Sequence, residues 1–403
     1  MMDKSWKPMR LDELGYVGRG KSRHRPRNDS RLYGGVHPFI QTADIMTADP
    51  YITEYLHTYS DFGILQSKQW PANTLCITIA GANTAKTAIL KFPAYFPDSI
   101  VGFIPDPHKS DLHFVKYSLD LMRNKFLSVS RGATQDNLSL DKLLSFPIYT
   151  PPIEDQKRIG EILSSFDNLI ANNGRRIKIL EEMSKSIYRE WFVNFRYPGY
   201  VEHKATPLGE TSLPTGWEAR KVSDFADFER GIEPGSDSYM DEWAEGLVKF
   251  LRVGDLSKRE SDLFIPHALA RNKYLNRDDI ALTLDGSVGL VRIGLSGSYS
   301  TGIRKLVIKD ESRLGWSFAY NLLLSDSIQD TIRAHAKGTT ILHAGSAVKA
   351  MQFISPPESL IVEFERVAAP MLRQILTLSL QISKLSKMRD LLLLKLLPIQ
   401  INN

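Results

Sequence analysis

The stretch RGATQDNLSLDKLLSFPIYTPP at residues 131–152 returns as KGTTILHAGSAVKAMQFISPP at residues 337–357. Each copy runs from a Gly-Thr turn through a short amphipathic segment to a Pro-Pro break, and each stands just ahead of a long helical pattern. Shifting the chain by 211 residues aligns Trp6 with Trp217, Arg19-Gly20 with Arg230-Gly231, and FIQTADI (39–45) with FLRVGDL (250–256). A shift of about 205 aligns ITIAGANTAKTAIL (77–90) with ALTLDGSVGLVRIG (281–294) and then the two Pro-Pro pairs. An offset that drifts so little over half the chain marks a tandem duplication, which decides the architecture before any single motif does.

Within each copy, short apolar runs rich in β-branched and aromatic residues end in glycine, as in LCITIAG and IALTLDG. They read as buried strands closed by turns. In LSLDKLLSF, residues Leu138, Leu140, Leu143 and Leu144 fall on one helical face behind Asn137 and Ser139, both suited to an N-cap. Beyond each Pro-Pro the period changes from 2 to 3.5. In the first long helix, expected over about 155–194, Ile159, Phe166, Asn173, Leu180 and Ile187 occupy one seam position, and Leu163, Ile170, Ile177, Ser184 and Trp191 the other; eight of the ten are apolar. In the second, Phe364, Met371, Leu378, Leu385 and Leu392 interleave with Ala368, Ile375, Ile382, Arg389 and Leu396, nine of ten apolar. Such heptads specify a coiled-coil seam, and the natural partner of each helix is its own duplicate. A helix of that length would extend about 60 Å. Asn173 would lower stability while fixing register, Gly174 would weaken the first helix, and Pro370 would kink the second or mark its start.

The expected division is therefore a first body at 1–150, a spacer helix at 151–197, a linker at 198–216, a second body at 217–355 and a second spacer helix at 356–403. With 403 residues, 42% of them hydrophobic and 24% charged, the chain is large enough for several cores. Its longest apolar run, LLLLKLLPI (391–399), is interrupted by Lys395 and is far shorter than the ~20 residues that span a bilayer. MMDKSWKPMR lacks an apolar leader core. A cytoplasmic protein is expected. The single cysteine, Cys76, supports neither a disulfide nor a thiolate metal site and reads as a strand residue.

The +5 formal charge is concentrated. RGKSRHRPRNDSR (19–31) holds six Lys or Arg against one Asp among Gly, Pro, Ser and Asn, the pattern of a flexible cationic loop suited to phosphates. Other motifs fail on their chemistry. AGANTAKT (80–87) imitates a P-loop but has Ala80 and Ala85 where close backbone approach needs glycine. TPPI (150–153) and SPPE (355–358) lack the aromatic of an amino-methyltransferase motif and read as helix starts. The nine histidines are scattered, with His335 and His343 the nearest pair, and Asp98, Asp106 and Asp111 with Lys109 make a poor nuclease cluster. Two bodies with no catalytic set, joined by a rigid spacer, read as a recognition protein. An adaptor that binds partners without DNA, and an enzyme with concealed chemistry, are the alternatives.

The stretch from Phe146 to Phe192, FPIYTPPIEDQKRIGEILSSFDNLIANNGRRIKILEEMSKSIYREWF, resembles the central conserved region of the specificity subunit of type I restriction-modification systems. RGATQDNLSLDKL is similar to the end of that family's target recognition domains, and the second copy resembles its distal conserved region. Pro370 and ILHAGS (341–346) depart from the family pattern. The resemblance implies two α/β (α+β) target recognition domains in tandem, joined by two long antiparallel helices that form an intramolecular coiled coil, with pseudo-two-fold symmetry. Each domain would read half of a bipartite site in double-stranded DNA, and the helices would dock two modification (methyltransferase) subunits, which the restriction/translocase subunits join. S-adenosylmethionine and ATP would belong to those partners, leaving this chain without cofactor, metal or catalytic residue. Expected phosphate contacts are Arg19, Lys21, Arg23, Arg25, Arg27 and Lys86 in the first copy and Arg230, Arg292, Arg304, Lys305 and Lys337 in the second. To these the two turns would add Arg131, Thr134, Gln135, Thr339 and Thr340 at a helix N-terminus. Inserting a helical turn near 174 would lengthen the gap between half-sites without changing either.

Overall fold

A computed structural model describes residues 6–48, 50–81, 84–130, 138–199, 213–258, 261–310 and 313–397. The chain forms two compact units, Met1–Asn172 with Ser383–Asn403, and Asn173–Ile382.

In the first unit, strand Lys7–Met9 pairs antiparallel with Ile148–Thr150 where the body meets its long helix. A five-stranded sheet runs in the order Gly15–Arg19, Ile100–Pro105, Leu75–Thr78, Thr87–Leu90, Tyr51–Ile52, and a four-stranded sheet in the order His57–Tyr59, Tyr33–Phe39, Ala94–Tyr95, Gln69–Trp70. The second unit repeats this plan. Glu218–Lys221 pairs with Gln352–Ser355. One sheet runs Ala226–Arg230, Ile303–Ile308, Ile280–Thr283, Val291–Arg292, and the other Phe264–Pro266, Leu247–Leu251, Gly297–Tyr299, Tyr274–Leu275. Among the described residues, only the short Tyr51–Ile52 edge strand is extra in the first copy.

The duplication extends to single atoms. Gly20 donates its N–H to Ile100 O and Gly231 donates to Ile303 O, and a Cβ on either glycine would collide with a crossing backbone carbonyl, Pro97 O or Tyr299 O. That close approach explains the repeated Arg-Gly. Asp44 and Asp255 each accept a backbone N–H three residues upstream, from Gln41 (2.7 Å) and Arg252 (2.8 Å), at the start of a six-residue helix. Cys76 is a buried strand residue, and burial pushes its thiol pKa up.

The long helices run Ile153–Tyr188, followed by a π-helical turn at Arg189–Val193, and Glu358–Leu396. Both start directly after a Pro-Pro pair, as the sequence predicts. Gly174 has open space around it and does not break the first helix. The second continues through Pro370, which is exposed, so that proline does not mark its start. In the first unit Ile159 and Leu163 pack into the core of the body with Leu392, Leu393, Leu396 and Leu397, while Phe166 and Ile170 are half-buried. In the second, Ile177, Leu180, Ile187 and Tyr188 share a core with Phe364, Ala368, Leu372, Ile375, Leu378 and Ile382. There Tyr188 meets Phe364 and Asn173 bonds Gln381 (3.3 Å), so numbers rise along one helix as they fall along the other and the pair is antiparallel. The expected seam needs one correction. Leu372, not Met371, is fully buried, because the second helix also packs on its own body through Leu360, Ile361 and Ala369 and turns a wider apolar face inward than a strict heptad provides.

Candidate nucleic-acid interface

The cationic segment after strand Gly15–Arg19 is not the loose loop its composition predicts. Its backbone is held from several sides. Lys21 N–H donates to Phe96 O (2.9 Å), and Ser67 Oγ donates to Lys21 O (2.7 Å). The Gln66 side-chain oxygen accepts the successive N–H groups of Arg23 (2.5 Å) and His24 (3.0 Å). Tyr33 OH donates to Arg27 O (2.7 Å). Two carboxylates absorb part of the charge. Asp98 pairs with Arg27 (2.8 Å), and Asp29 takes both Arg31 (2.7 Å) and His24 (2.8 Å). Hydrogen bonding from the Arg31 guanidinium, then from its N–H, holds the Asp29 carboxyl far below the usual carboxylate range.

The six expected cations of this body thus divide. Arg27 is engaged by a carboxylate. Arg19 donates to the Asp98 carbonyl (2.8 and 3.0 Å) from an exposed position. Arg25 braces the loop through bonds to Ser22 O and His24 O (2.8 Å each) and remains exposed. Lys21 and Arg23 have no carboxylate within ion-pair distance among the described residues, and neither has Lys86, which sits on the hairpin joining strands Leu75–Thr78 and Thr87–Leu90. That hairpin is the P-loop look-alike, and no helix follows it. Arg131, Thr134 and Gln135 lie outside the described residues.

In the second body Lys305 is committed to Asp279 (2.7 Å) and Arg304 lies half-buried beside Asp285 (3.9 Å); burial, opposed by that carboxylate, pushes the Arg304 pKa down. Arg292 donates to Leu256 O and Val291 O. Arg230 and Lys337 are exposed. Thr339 and Thr340 are also exposed, but not at a helix N-terminus as expected. Lys337 and His343 exchange backbone hydrogen bonds (3.0 and 2.8 Å) around a tight loop, Gly338 takes φ +124°, and only a five-residue 3-10 turn, Gly345–Lys349, follows. His343 Nδ1 meets Asp285 (2.8 Å), which fastens the loop to the neighbouring hairpin.

The acidic residues considered as a nuclease cluster do separate work: Asp98 on Arg27, Asp106 on Lys109 (3.6 Å) and Asp111 as the cap of helix Leu112–Leu121. No group of three or more His, Cys, Asp or Glu among the described residues is placed to hold a metal ion. No described helix is long and apolar enough to cross a membrane.

Sequence reasoning missed the residues that organise these surfaces. Gln66, Asp29 and Asp98 carry no motif. Away from these surfaces, the buried Asp167, paired with Arg389 (2.7 Å), was legible in principle, since an arginine in a seam position calls for an acid. Lys68 and Lys273 occupy the same place in the two bodies, each just before the strand that ends a sheet. Lys68 lies over the rings of Tyr16 (4.4 Å) and Trp70 (4.2 Å), whereas Lys273 pairs with Glu229 (2.8 Å).

Comparison with known proteins agrees with this plan. A family model for the type I restriction modification DNA specificity domain matches residues 3–182. The chain is 25% identical to the type I restriction enzyme MjaIX specificity subunit of Methanocaldococcus jannaschii, over 98% of this chain and 93% of that protein. It is 28% identical to the EcoR124I/EcoR124II specificity subunit of Escherichia coli over 47% and 49% of the two chains. Its fold is that of the type I restriction-modification S subunit from M. genitalium, with a TM-score of 0.63 over 99% and 98% of the chains at 16% identity. In its duplicated bodies and antiparallel helices, and in sequence over nearly its whole length, the chain is similar to type I restriction-modification specificity subunits.

Proposed function

We propose that each body reads one half of a bipartite site in double-stranded DNA, and that the chain does no chemistry itself. The observation that supports this reading most is the repetition of one strand plan, down to matching backbone contacts at Gly20 and Gly231, in two bodies whose exposed cations differ. A duplicated scaffold supplies two readers of one design, each positioned by its own exposed cations on phosphates and free to differ in the residues that meet base edges. The long helices carry two modification subunits, and those partners supply S-adenosylmethionine and the adenine chemistry. ATP enters with the restriction subunits that join them. The helix pair sets the number of unread base pairs between the half-sites.

The test is to express the chain with its modification subunit and map methylated adenines across the host genome. A single two-part motif with a constant gap is expected. Methylation with no such motif, or methylation by this chain alone, would overturn the reading.

A further inference from the structure

We propose that Gln66 is a positioning residue that presents Arg23 and Arg25 to the DNA phosphates. This rests on the reading of the first body as a DNA half-site reader.

The segment between Gly20 and Asp29 has the composition of a disordered tract, yet its backbone is fixed chiefly by one short stretch, Phe62 to Ser67. Gln66 Oε1 accepts two successive backbone N–H groups, those of Arg23 and His24. Ser67 ties the preceding carbonyl, and the Phe62 ring meets His24 edge-on (5.6 Å). Arg25 spends one terminal nitrogen on Ser22 O and His24 O, so its fork is oriented while its remaining N–H donors meet no partner among the described residues. Arg27 and Arg31 belong instead to Asp98 and Asp29. Lys21 also lacks a carboxylate but is half-buried, so the exposed cations of the segment left open to a polyanion are Arg23 and Arg25, on a backbone that needs no further ordering. A planar, pre-set guanidinium is the group that binds phosphate in two-pronged fashion.

The experiment uses the full chain with its modification subunits and a labelled 40-base-pair duplex carrying the methylated sequence. Binding is measured from low to high KCl, and the slope of log affinity against log salt is read. Each phosphate contact contributes about 0.9 to that slope. Arg23→Gln with Arg25→Gln is expected to flatten it by about 2. Gln66→Met, which keeps the length and loses the acceptor, is expected to flatten it similarly, and the triple variant no further. A residue that merely stabilised the fold would lower stability and leave the slope alone. An unchanged slope in Gln66→Met, or additive losses in the triple variant, would overturn the proposal. Should Gln66→Met not fold, an unchanged slope in the Arg23→Gln, Arg25→Gln variant overturns it as well. A wild-type complex with no salt-sensitive affinity for the duplex would instead defeat the DNA reading itself.

Discussion

The carboxylate of Asp111 fills the space that a side chain on Gly160 would need. It accepts the Phe114 N–H (2.9 Å) and so caps the helix that packs the first body against its spacer. The second unit holds the same joint with the roles exchanged. Gly315 stands at the cap, and Glu365 on the long helix reaches across to accept the N–H groups of Ser317 (3.2 Å) and Phe318 (2.8 Å). A carboxylate at a helix N-terminus satisfies orphan donors and the helix dipole whichever side delivers it. Only one side can, because there is room for one.

The exchange can be reproduced. Asp111→Gly is expected to lower stability by only about 0.3 kcal/mol, since glycine is itself tolerated at an N-cap. Gly160→Glu alone, which crowds a second carboxylate against Asp111, is expected to destabilise more. The double variant recreates the Gly315/Glu365 arrangement and should recover most of the loss. Urea midpoints of the four proteins check this, and simple additivity would refute it.

Arg389 explains why a charge tolerates a seam position. Its Nη1 lies 2.7 Å from Asp167, a carboxylate only 2% exposed, which also accepts the Tyr117 hydroxyl (2.5 Å). Breaking a buried pair from one side leaves an uncompensated charge, so Arg389→Met is expected to cost about 3 kcal/mol. Asp167→Leu with Arg389→Leu should recover only part of that loss, because apolar residues replace the pair at little cost but leave the buried Tyr117 hydroxyl without its acceptor. Thermal or urea unfolding distinguishes the two outcomes.

Asp29 makes the order of the cationic loop insensitive to mild acid. Its folded pKa is depressed by Arg31, so the stability it contributes is fully present above the ordinary carboxylate value of about 3.9 and is lost as pH falls through the lowered one. The stability difference between wild type and Asp29→Asn is therefore expected to stay constant from pH 7 to about pH 4.5 and to shrink only in stronger acid. A difference that already faded near pH 6 would contradict this assignment.

Spacing between half-sites should follow the helices as a pair. Because Asn173 faces Gln381, the single insertion near 174 expected from the sequence would break register instead of lengthening the pair. Seven residues added after Gly174 and seven before Gln381 lengthen the pair by about 10 Å, or about three base pairs at ~3.4 Å each. Methylome sequencing of a strain carrying the variant should return both half-sites unchanged with the gap enlarged by that amount.

The local periods along the chain were enough to declare the duplication, the buried strands, the Pro-Pro helix starts and a seam between the long helices; of the two expected caps Ser139 is one and Asn137 lies outside the described residues, and the antiparallel sense came from the family resemblance. A strand's alternation, a heptad and a cap each depend on residues within a turn or two of one another. The sequence by itself therefore determined that there are two like bodies and two long helices. Only the tertiary structure decided how their charges are used. Arg27 meets Asp98 from 71 residues away, Asp167 meets Arg389 from 222, and Gln66 reaches Arg23 from 43. No period encodes such meetings. They arise when chain segments far apart in sequence are brought within a few ångströms; the buried Asp167 keeps Arg389 inside, and the half-buried Asp98 engages Arg27 while Arg23 and Arg25 are left to solvent or a polyanion.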